Sequence, residues 1–346
     1  MAVISAKQRL LSVLRKEAGH TDRPPVICPG GMMNAAIVEI MEQTGHRLPE
    51  AHKDAHQMAD LALDIHRYTG FENLGAPFCV TVEAETLGSS VTLGTLTCEP
   101  KVKKEAYGSV SDVLLKDVAD LLQSGRVRTV LQAIGRLSAA YPDVPVIGAL
   151  TGPISAAASL VDPMTFYREL RKKPERSHEV LDYVTRFLSA FAASMIRHGA
   201  SVIAISDPSA TGEILGPRLF YAYAVKYLNN IIATAHAAGA PVIVHVCGNI
   251  KSVKHLIPAL RSDAISADAL VSLIKLKEQF PDLVTMGNVS TYLLEFGPAD
   301  KVANTAKRLV REGVDIISPA CGLSTSTSLK MITALTRAVK ETRLHG

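Results

Sequence analysis

The sequence predicts a (β/α)8 barrel, and three observations carry that expectation. Eight apolar runs begin near residues 25, 73, 145, 202, 242, 264, 284 and 315. Stretches with helical spacing separate them, and eight βα units suit a chain of 346 residues. The side chains capable of chemistry gather at the far ends of these runs: Cys79, Asp207, His245, Cys247, Asp268, Asn288 and Cys321. Parallel barrel strands end on one face, so this placement sets all seven around one mouth. A doubly wound open sheet is the alternative with the same order of elements.

Taken in order, residues 1–22 read as an N-terminal helical extension of a single domain spanning 1–346, with Leu10, Leu11, Val13 and Leu14 on one side of a helix at 5–17. The first strand, 23–28, runs into a turn carrying Gly30 and Gly31, and a helix at 34–44 stops at Gly45. A helix at 54–69 stops at Gly70 and leads into the strand at 72–79. Residues 80–110 alternate and are rich in turn formers, which predicts a β-hairpin inserted after the second strand. Helices are expected at 111–122 and 126–140, a strand at 144–150, and helices at 154–170 and 177–198. Strands at 201–207, 241–247, 263–268, 283–288 and 315–321 then alternate with helices at 217–238, 252–260, 269–280, 298–311 and 326–342.

Composition narrows the function classes. A net charge of +4 with no basic block argues against a nucleic-acid partner. No apolar run reaches the roughly 18–20 residues of a membrane span, and the N-terminus lacks the apolar core of a signal peptide. Five scattered cysteines do not make a disulfide framework, so a reducing cytoplasm is the expected location.

The most informative stretch is Pro241-Val-Ile-Val-His-Val-Cys-Gly-Asn249. His245 and Cys247 stand two apart at the end of a buried strand, so both point to one face. An imidazole and a thiol side by side make half of a zinc site. Cys321, in an apolar run that also ends in Cys-Gly, is the best candidate for the other half. A metal held by these three needs Cys321 to reach inward, because the fifth and eighth strands face each other across the mouth. Cys28 and Cys79 also lie near strand ends and compete as ligands, whereas Cys98, in the hairpin, reads as structural. A buried cysteine is often no more than a small apolar side chain. The shared strand-end setting is what favours ligation here.

The His245-Val-Cys-Gly-Asn249 run, with Cys321 standing 74 positions after Cys247, resembles the zinc signature of the cobamide-dependent methyltransferases. These include methylcobamide:coenzyme M and chloromethane methyltransferases within the uroporphyrinogen decarboxylase superfamily. Pro49-Glu-Ala-His-Lys-Asp54, Pro77-Phe-Cys-Val-Thr-Val-Glu-Ala-Glu85, Ser206-Asp-Pro-Ser-Ala210 and Gly287-Asn-Val-Ser290 are similar to that family as well. The resemblance implies a zinc ion on His245, Cys247 and Cys321, and a methyl-corrinoid as methyl donor. It also implies a thiol such as coenzyme M, or a pterin such as tetrahydrofolate, as acceptor. The chain has no D-x-H-x-x-G cobalamin motif, so a separate corrinoid protein is the expected partner.

Asp207 or Glu83 then becomes a candidate to fill the open metal position, against a turn-capping role for Asp207 and a solvated hairpin for Glu83 and Glu85. Asp268 is a candidate acceptor for the free ring nitrogen of His245, or a helix cap. Gly30, Gly31 and Asn288 are candidate corrinoid contacts, or residues that only shape their own turns. The decarboxylase branch fits less well: segment 28–34 holds no arginine to bind substrate carboxylates.

Overall fold

Seven parallel strands form one curled sheet in the computed structural model, which describes residues 4–17 and 21–342. The expected N-terminal extension lies partly outside the described residues, at 1–3 and 18–20. In chain order the strands are β1 (Leu74–Ala76), the short antiparallel pair β2 (Ser90–Thr92) and β3 (Lys101–Lys104), β4 (Val146–Thr151), β5 (Val202–Ser206), β6 (Val242–Val246), β7 (Ala264–Ala267), β8 (Thr285–Val289) and β9 (Ile316–Pro319). The sheet runs β1-β4-β5-β6-β7-β8-β9, and β2 and β3 pair only with each other.

The segment expected as the first strand closes the ring, which rules out the open-sheet alternative. Val26 bridges Ile317 of β9 in parallel, with Ile27 donating to the Ile317 carbonyl at 3.0 Å. Toward β1 one main-chain bond, Glu72 N–H to the Val26 carbonyl at 2.9 Å, is supplemented by side chains. Val26 N–H donates to Glu72 Oε2 at 3.0 Å, Cys28 N–H to Asn73 Oδ1 at 2.9 Å, and Asn73 Nδ2 to the Cys28 carbonyl at 2.9 Å. Pro24 and Pro25 have no N–H to offer, so a full strand cannot form there and a single bridge is what remains.

Inside the ring the side chains obey the two-residue period of strands. Ile147, Val202, Ala204, Ile243, Ala264, Val284, Met286 and Ile316 form the lower interior, and Leu10 and Leu14 of the helix Ala6–Leu14 plug its floor. Ser5 caps that helix through a reciprocal bond with Gln8. Arg9 anchors it to the closing seam, donating from Nη1 to Glu72 Oε1 at 2.9 Å. Continuing upward in the same register, the inward positions turn polar: Thr151, Ser206, His245, Ser266 and Ser318, all buried. The alternate positions, such as Ile203, Val244 and Ile265, pack outward against the helices.

Several expected elements shift. Residues 80–110 open with a helix, Val82–Leu87, and the hairpin follows only at β2 and β3. Glu83 and Glu85 therefore sit on a helix rather than in a solvated hairpin. Six residues stopped by Gly88 are too few to show a helical period against the alternation that follows. The stretch expected as one helix at 154–170 breaks at Asp162, whose carboxylate caps the second piece, Pro163–Lys172. The helix expected at 217–238 starts just after a kink at Gly216, inside the helical stretch Gly212–Leu219, and includes a π-helical turn, Phe220–Val225. The short helix Thr291–Phe296 after β8 had no sequence expectation.

Asn73 is the sharpest test of the closing seam. Asn73→Ala strands the N–H and carbonyl of buried Cys28, and two unpaired buried backbone groups cost about 2–5 kcal/mol together. Urea unfolding should register that loss; a change of less than about 1 kcal/mol would mean that the seam does not depend on the side-chain ladder.

Candidate metal centre

β6 ends with His245 and Val246, and Cys247 follows in the turn, so alternation carries both ligand candidates to the inside of the barrel. The pairing of β6 with β7 sets Ser266 directly opposite His245. His245 Nδ1 lies 2.9 Å from Ser266 Oγ, and the Ser266 hydroxyl points at Met33 Sδ, 3.8 Å away. With its own proton directed there, Ser266 accepts from His245 Nδ1–H. That leaves His245 Nε2 as a bare lone pair aimed up the mouth, 3.1 Å from Cys247 Sγ.

Cys321 arrives from the other side. It lies two residues past β9, and its turn packs against the loop after the first segment, where a Cβ on Gly322 would sit 2.5 Å from the Met32 carbonyl. A glycine is therefore required there. Cys321 Sγ reaches to 3.8 Å from Cys247 Sγ, although β7 and β8 separate the two strands. The three donor atoms lie within 4.8 Å of one another, and they are the one such His/Cys/Asp/Glu group among the described residues. The two sulfurs share a proton. The Cys247 thiol donates to Cys321 and, against the pull of burial, brings the Cys321 thiol well below its usual range. The same bond, followed by burial, pushes Cys247 up.

This spacing fits a zinc ion. Two sulfurs at about 2.3 Å from a tetrahedral zinc stand about 3.8 Å apart, and a nitrogen at about 2.0 Å stands about 3.5 Å from each. The sulfur pair already has that separation. The His245–Cys247 contact needs to open by only a few tenths of an ångström.

The other candidates lie elsewhere. Asp207 is buried and accepts from Ile154 N–H at 3.0 Å, Ser155 N–H at 2.8 Å and Ser155 Oγ at 2.6 Å. It caps the N-terminus of the helix Pro153–Leu160 as well as its own turn, where Ala210 N–H also faces it, a favourable seat for a negative group. Gly152 makes this possible, because a Cβ there would overlap the Asp207 carboxyl. Glu83 is buried too, taking Thr151 N–H at 2.8 Å and Thr151 Oγ1 at 2.9 Å, and burial raises its pKa. Neither belongs to the three-donor group.

Asp268 does not reach His245 in the way anticipated: Ser266 takes that role, and Asp268 Oδ1 caps Leu270 N–H at 2.9 Å. Both amide protons of Asn288 are committed, to the carbonyls of Asp268 at 2.9 Å and Val271 at 2.8 Å, so it has none to give a cofactor. Gly30 and Gly31 take positive φ and press onto the ends of β1 and β4. A Cβ on Gly31 would meet Ala149, which makes the two glycines a protein contact rather than an open seat for a corrin. The Cys28 thiol donates to the Met33 carbonyl at 3.1 Å, and burial raises its pKa. Cys79 accepts from Arg126 Nη1 at 3.3 Å and Thr81 Oγ1 at 3.4 Å. Both are thus occupied away from the centre. Cys98 is exposed at the hairpin tip, where its backbone pairs with Thr95.

Across residues 5–342 the sequence matches the uroporphyrinogen decarboxylase (URO-D) family model. The chain belongs to the URO-D family. Within that family it is 32% identical to the methylcobamide:CoM methyltransferase MtbA of Methanosarcina acetivorans, over 94% of this chain and 95% of that protein. It is 31% identical to the methylcobamide:CoM methyltransferase MtaA of Methanosarcina barkeri, over 99% of each. Among solved structures, a methyltransferase from Methanosarcina mazei superposes with a TM-score of 0.90 at 32% identity, over 98% of this chain and 99% of that one. A B12-independent methionine synthase from a Shewanella species shares the fold at a TM-score of 0.57 and 14% identity. The URO-D chain described here therefore sits with the methyltransferases of its family.

Sequence reasoning missed two features of the site. Ser266 was legible in principle, as the one polar residue in Ala264-Ile-Ser-Ala267, once β7 is set in register beside β6. The buried Arg126, which ties Cys79 to Glu85 and to the Thr81 carbonyl, left no local signal because its partners lie more than 40 residues away.

Asp207 provides a pH test. Burial lifts it to about 6 from 3.8, against the pull of the Ser155 hydroxyl and the helix N–H groups. The folded form thus holds its proton more tightly than the unfolded chain. Its contribution is complete below the unfolded value and is lost as pH rises through about 6, at most about 3 kcal/mol. Unfolding free energies of wild type and Asp207→Asn from pH 4 to 7 should diverge accordingly, with the steeper decline in wild type. Parallel curves would contradict the assignment.

Proposed function

We propose that this URO-D protein moves a methyl group from a methyl-corrinoid, carried on a separate protein, to the sulfur of a small thiol, using one zinc ion held by His245 Nε2, Cys247 Sγ and Cys321 Sγ. The observation that carries this reading is the convergence of those three atoms within 4.8 Å at the barrel mouth, from strands that are not neighbours. Two further facts support it. Ser266 fixes the imidazole tautomer that presents Nε2, and the thiol pair has the separation a tetrahedral ion needs. Zinc bound there would supply a Lewis acid that takes an incoming thiol as thiolate near neutral pH.

The chain's own residues have defined tasks in this reading. Cys247 and Cys321 give up their shared proton to become two anionic ligands, which keeps the acceptor sulfur electron-rich. Ser266 holds the imidazole so that His245 does not turn away. Asp207 and Glu83 stiffen the neighbouring strand ends through Ser155 and Thr151. The acceptor sulfur forms a bond to the methyl carbon. A methyl-corrinoid on its carrier protein would supply that carbon as co-substrate and keep the electron pair of the bond it gives up. The names of the relatives, among them a methylated-thiol–coenzyme M methyltransferase of Methanosarcina mazei, support coenzyme M as the thiol. The donor chemistry favours a thiol over a pterin, because two thiolates and an imidazole suit a third sulfur ligand. A decarboxylase acting on a polycarboxylate tetrapyrrole finds no cation in segment 28–34.

Elemental analysis tests the proposal. Purified wild type should hold one zinc per chain, and Cys321→Ala should lose it while remaining folded, since the apolar interior lies below the mouth. Thiol-dependent formation of cobalt(I) from free methylcobalamin should fall by about 100-fold or more in that variant. Full zinc retained in Cys321→Ala would overturn the ligand set.

A further inference from the structure

Strand order places β7 and β8 between the two ligating strands, β6 and β9, so the loops that follow β7 and β8 form the rim between the turns that carry the donor atoms. These loops are unusual in two ways. They expose large apolar side chains: Leu270 at 77%, Tyr292 at 72% and Phe296 at 70%. Single exposed apolar residues are ordinary, but here they come from consecutive loops on one side of the mouth. The loops are also tied down. Asn288, at the end of β8, donates both amide protons to the loop after β7, at Asp268 and Val271 on either side of Leu270. Glu295, between the two aromatics, accepts from Ser326 Oγ and Thr327 Oγ1, both at 2.6 Å, in the segment after β9. Tyr292 and Phe296 lie one helical turn apart, with ring centroids 5.0 Å apart.

A rigid apolar rim held by polar bonds beneath it is arranged to meet a surface, because little side-chain or loop freedom is left to lose on contact. We infer that Leu270, Tyr292 and Phe296 form the docking surface for the corrinoid carrier protein, whose apolar surface around the bound corrinoid seats on this side of the mouth. The inference rests on the proposed methyl transfer and adds where the partner binds. The occupant follows from the reaction geometry. The methyl carbon has to come within bonding reach of a sulfur held at His245, Cys247 and Cys321. The apolar interior below the donor atoms is filled, so the macrocycle meets the sulfur from above and the protein that carries it rests on the adjoining rim. This also gives the two Asn288 bonds a purpose: they fix the loop that presents Leu270.

The test compares two methyl donors on the full chain: free methylcobalamin, and a purified methyl-loaded corrinoid carrier protein that wild type saturates. In Leu270→Asp/Tyr292→Asp the KM for the carrier should rise by about tenfold or more, with kcat and free-methylcobalamin turnover within about twofold of wild type. Phe296→Ser should move the same parameter in the same direction. Tyr68→Asp, on a helix end at the opposite face of the barrel, should change neither. An unchanged carrier KM in the double variant would overturn the inference, as would an equal loss with both donors. Analytical ultracentrifugation adds one more arm: a wild-type dimer that the double variant dissolves would show that a second copy of this chain covers the rim. Wild type inert toward free methylcobalamin would fail the methyl-transfer reading itself, a result separable from any effect at the rim.

Discussion

The hydrogen bond from His245 Nδ1–H to Ser266 Oγ at 2.9 Å exists only because β6 and β7 pair in a register that sets those two side chains opposite each other inside the barrel. A slip of one residue would turn His245 outward into the helix layer and bring Val244 or Val246 in. The same register fixes Cys247, two residues further along. It also dictates that the interior is apolar below, from Ile243 and Ala264, and polar above. The site is thus a consequence of how the strands align. The single bond to Ser266 selects which ring nitrogen is free.

That alignment needs a closed ring, and closure is achieved unconventionally. The first segment is too proline-rich to be a full strand, so carboxamide and carboxylate groups of Asn73 and Glu72 extend a ladder that keeps one main-chain bond, Glu72 N–H to the Val26 carbonyl, on that side. Arg9 and Arg23 converge on the same Glu72 and couple the N-terminal plug to the seam. Stability at the floor of the barrel and geometry at its mouth are therefore linked through the backbone of residues 25–28. The loop that follows packs Met32 against Gly322, beside Cys321.

Much of this was legible in the residues. The apolar runs gave seven of the eight strands, and the H-x-C spacing with Cys321 identified the group that the barrel brings together. What escaped was what depends on partners distant in sequence. Glu83 reads as an exposed acidic residue until Thr151 is brought beside it, 68 positions later. Asp207 reads as a local cap until the neighbouring helix presents its N–H groups. Asn288 and the two glycines suit two roles by residue type, corrin contacts or residues that shape their own turns. Their hydrogen bonds and packing support the second role, in the protein's own loops.

The central claim is that His245, Cys247 and Cys321 act as one ligand set with an open position for a thiol. Zinc-edge X-ray absorption on the purified protein, before and after addition of coenzyme M, tests it most directly. The account predicts one nitrogen at about 2.0 Å and two sulfurs at about 2.3 Å, rising to three sulfurs when the thiol is added. A sulfur count that stays at two on saturation with the thiol, or a shell of oxygen and nitrogen alone, would contradict it.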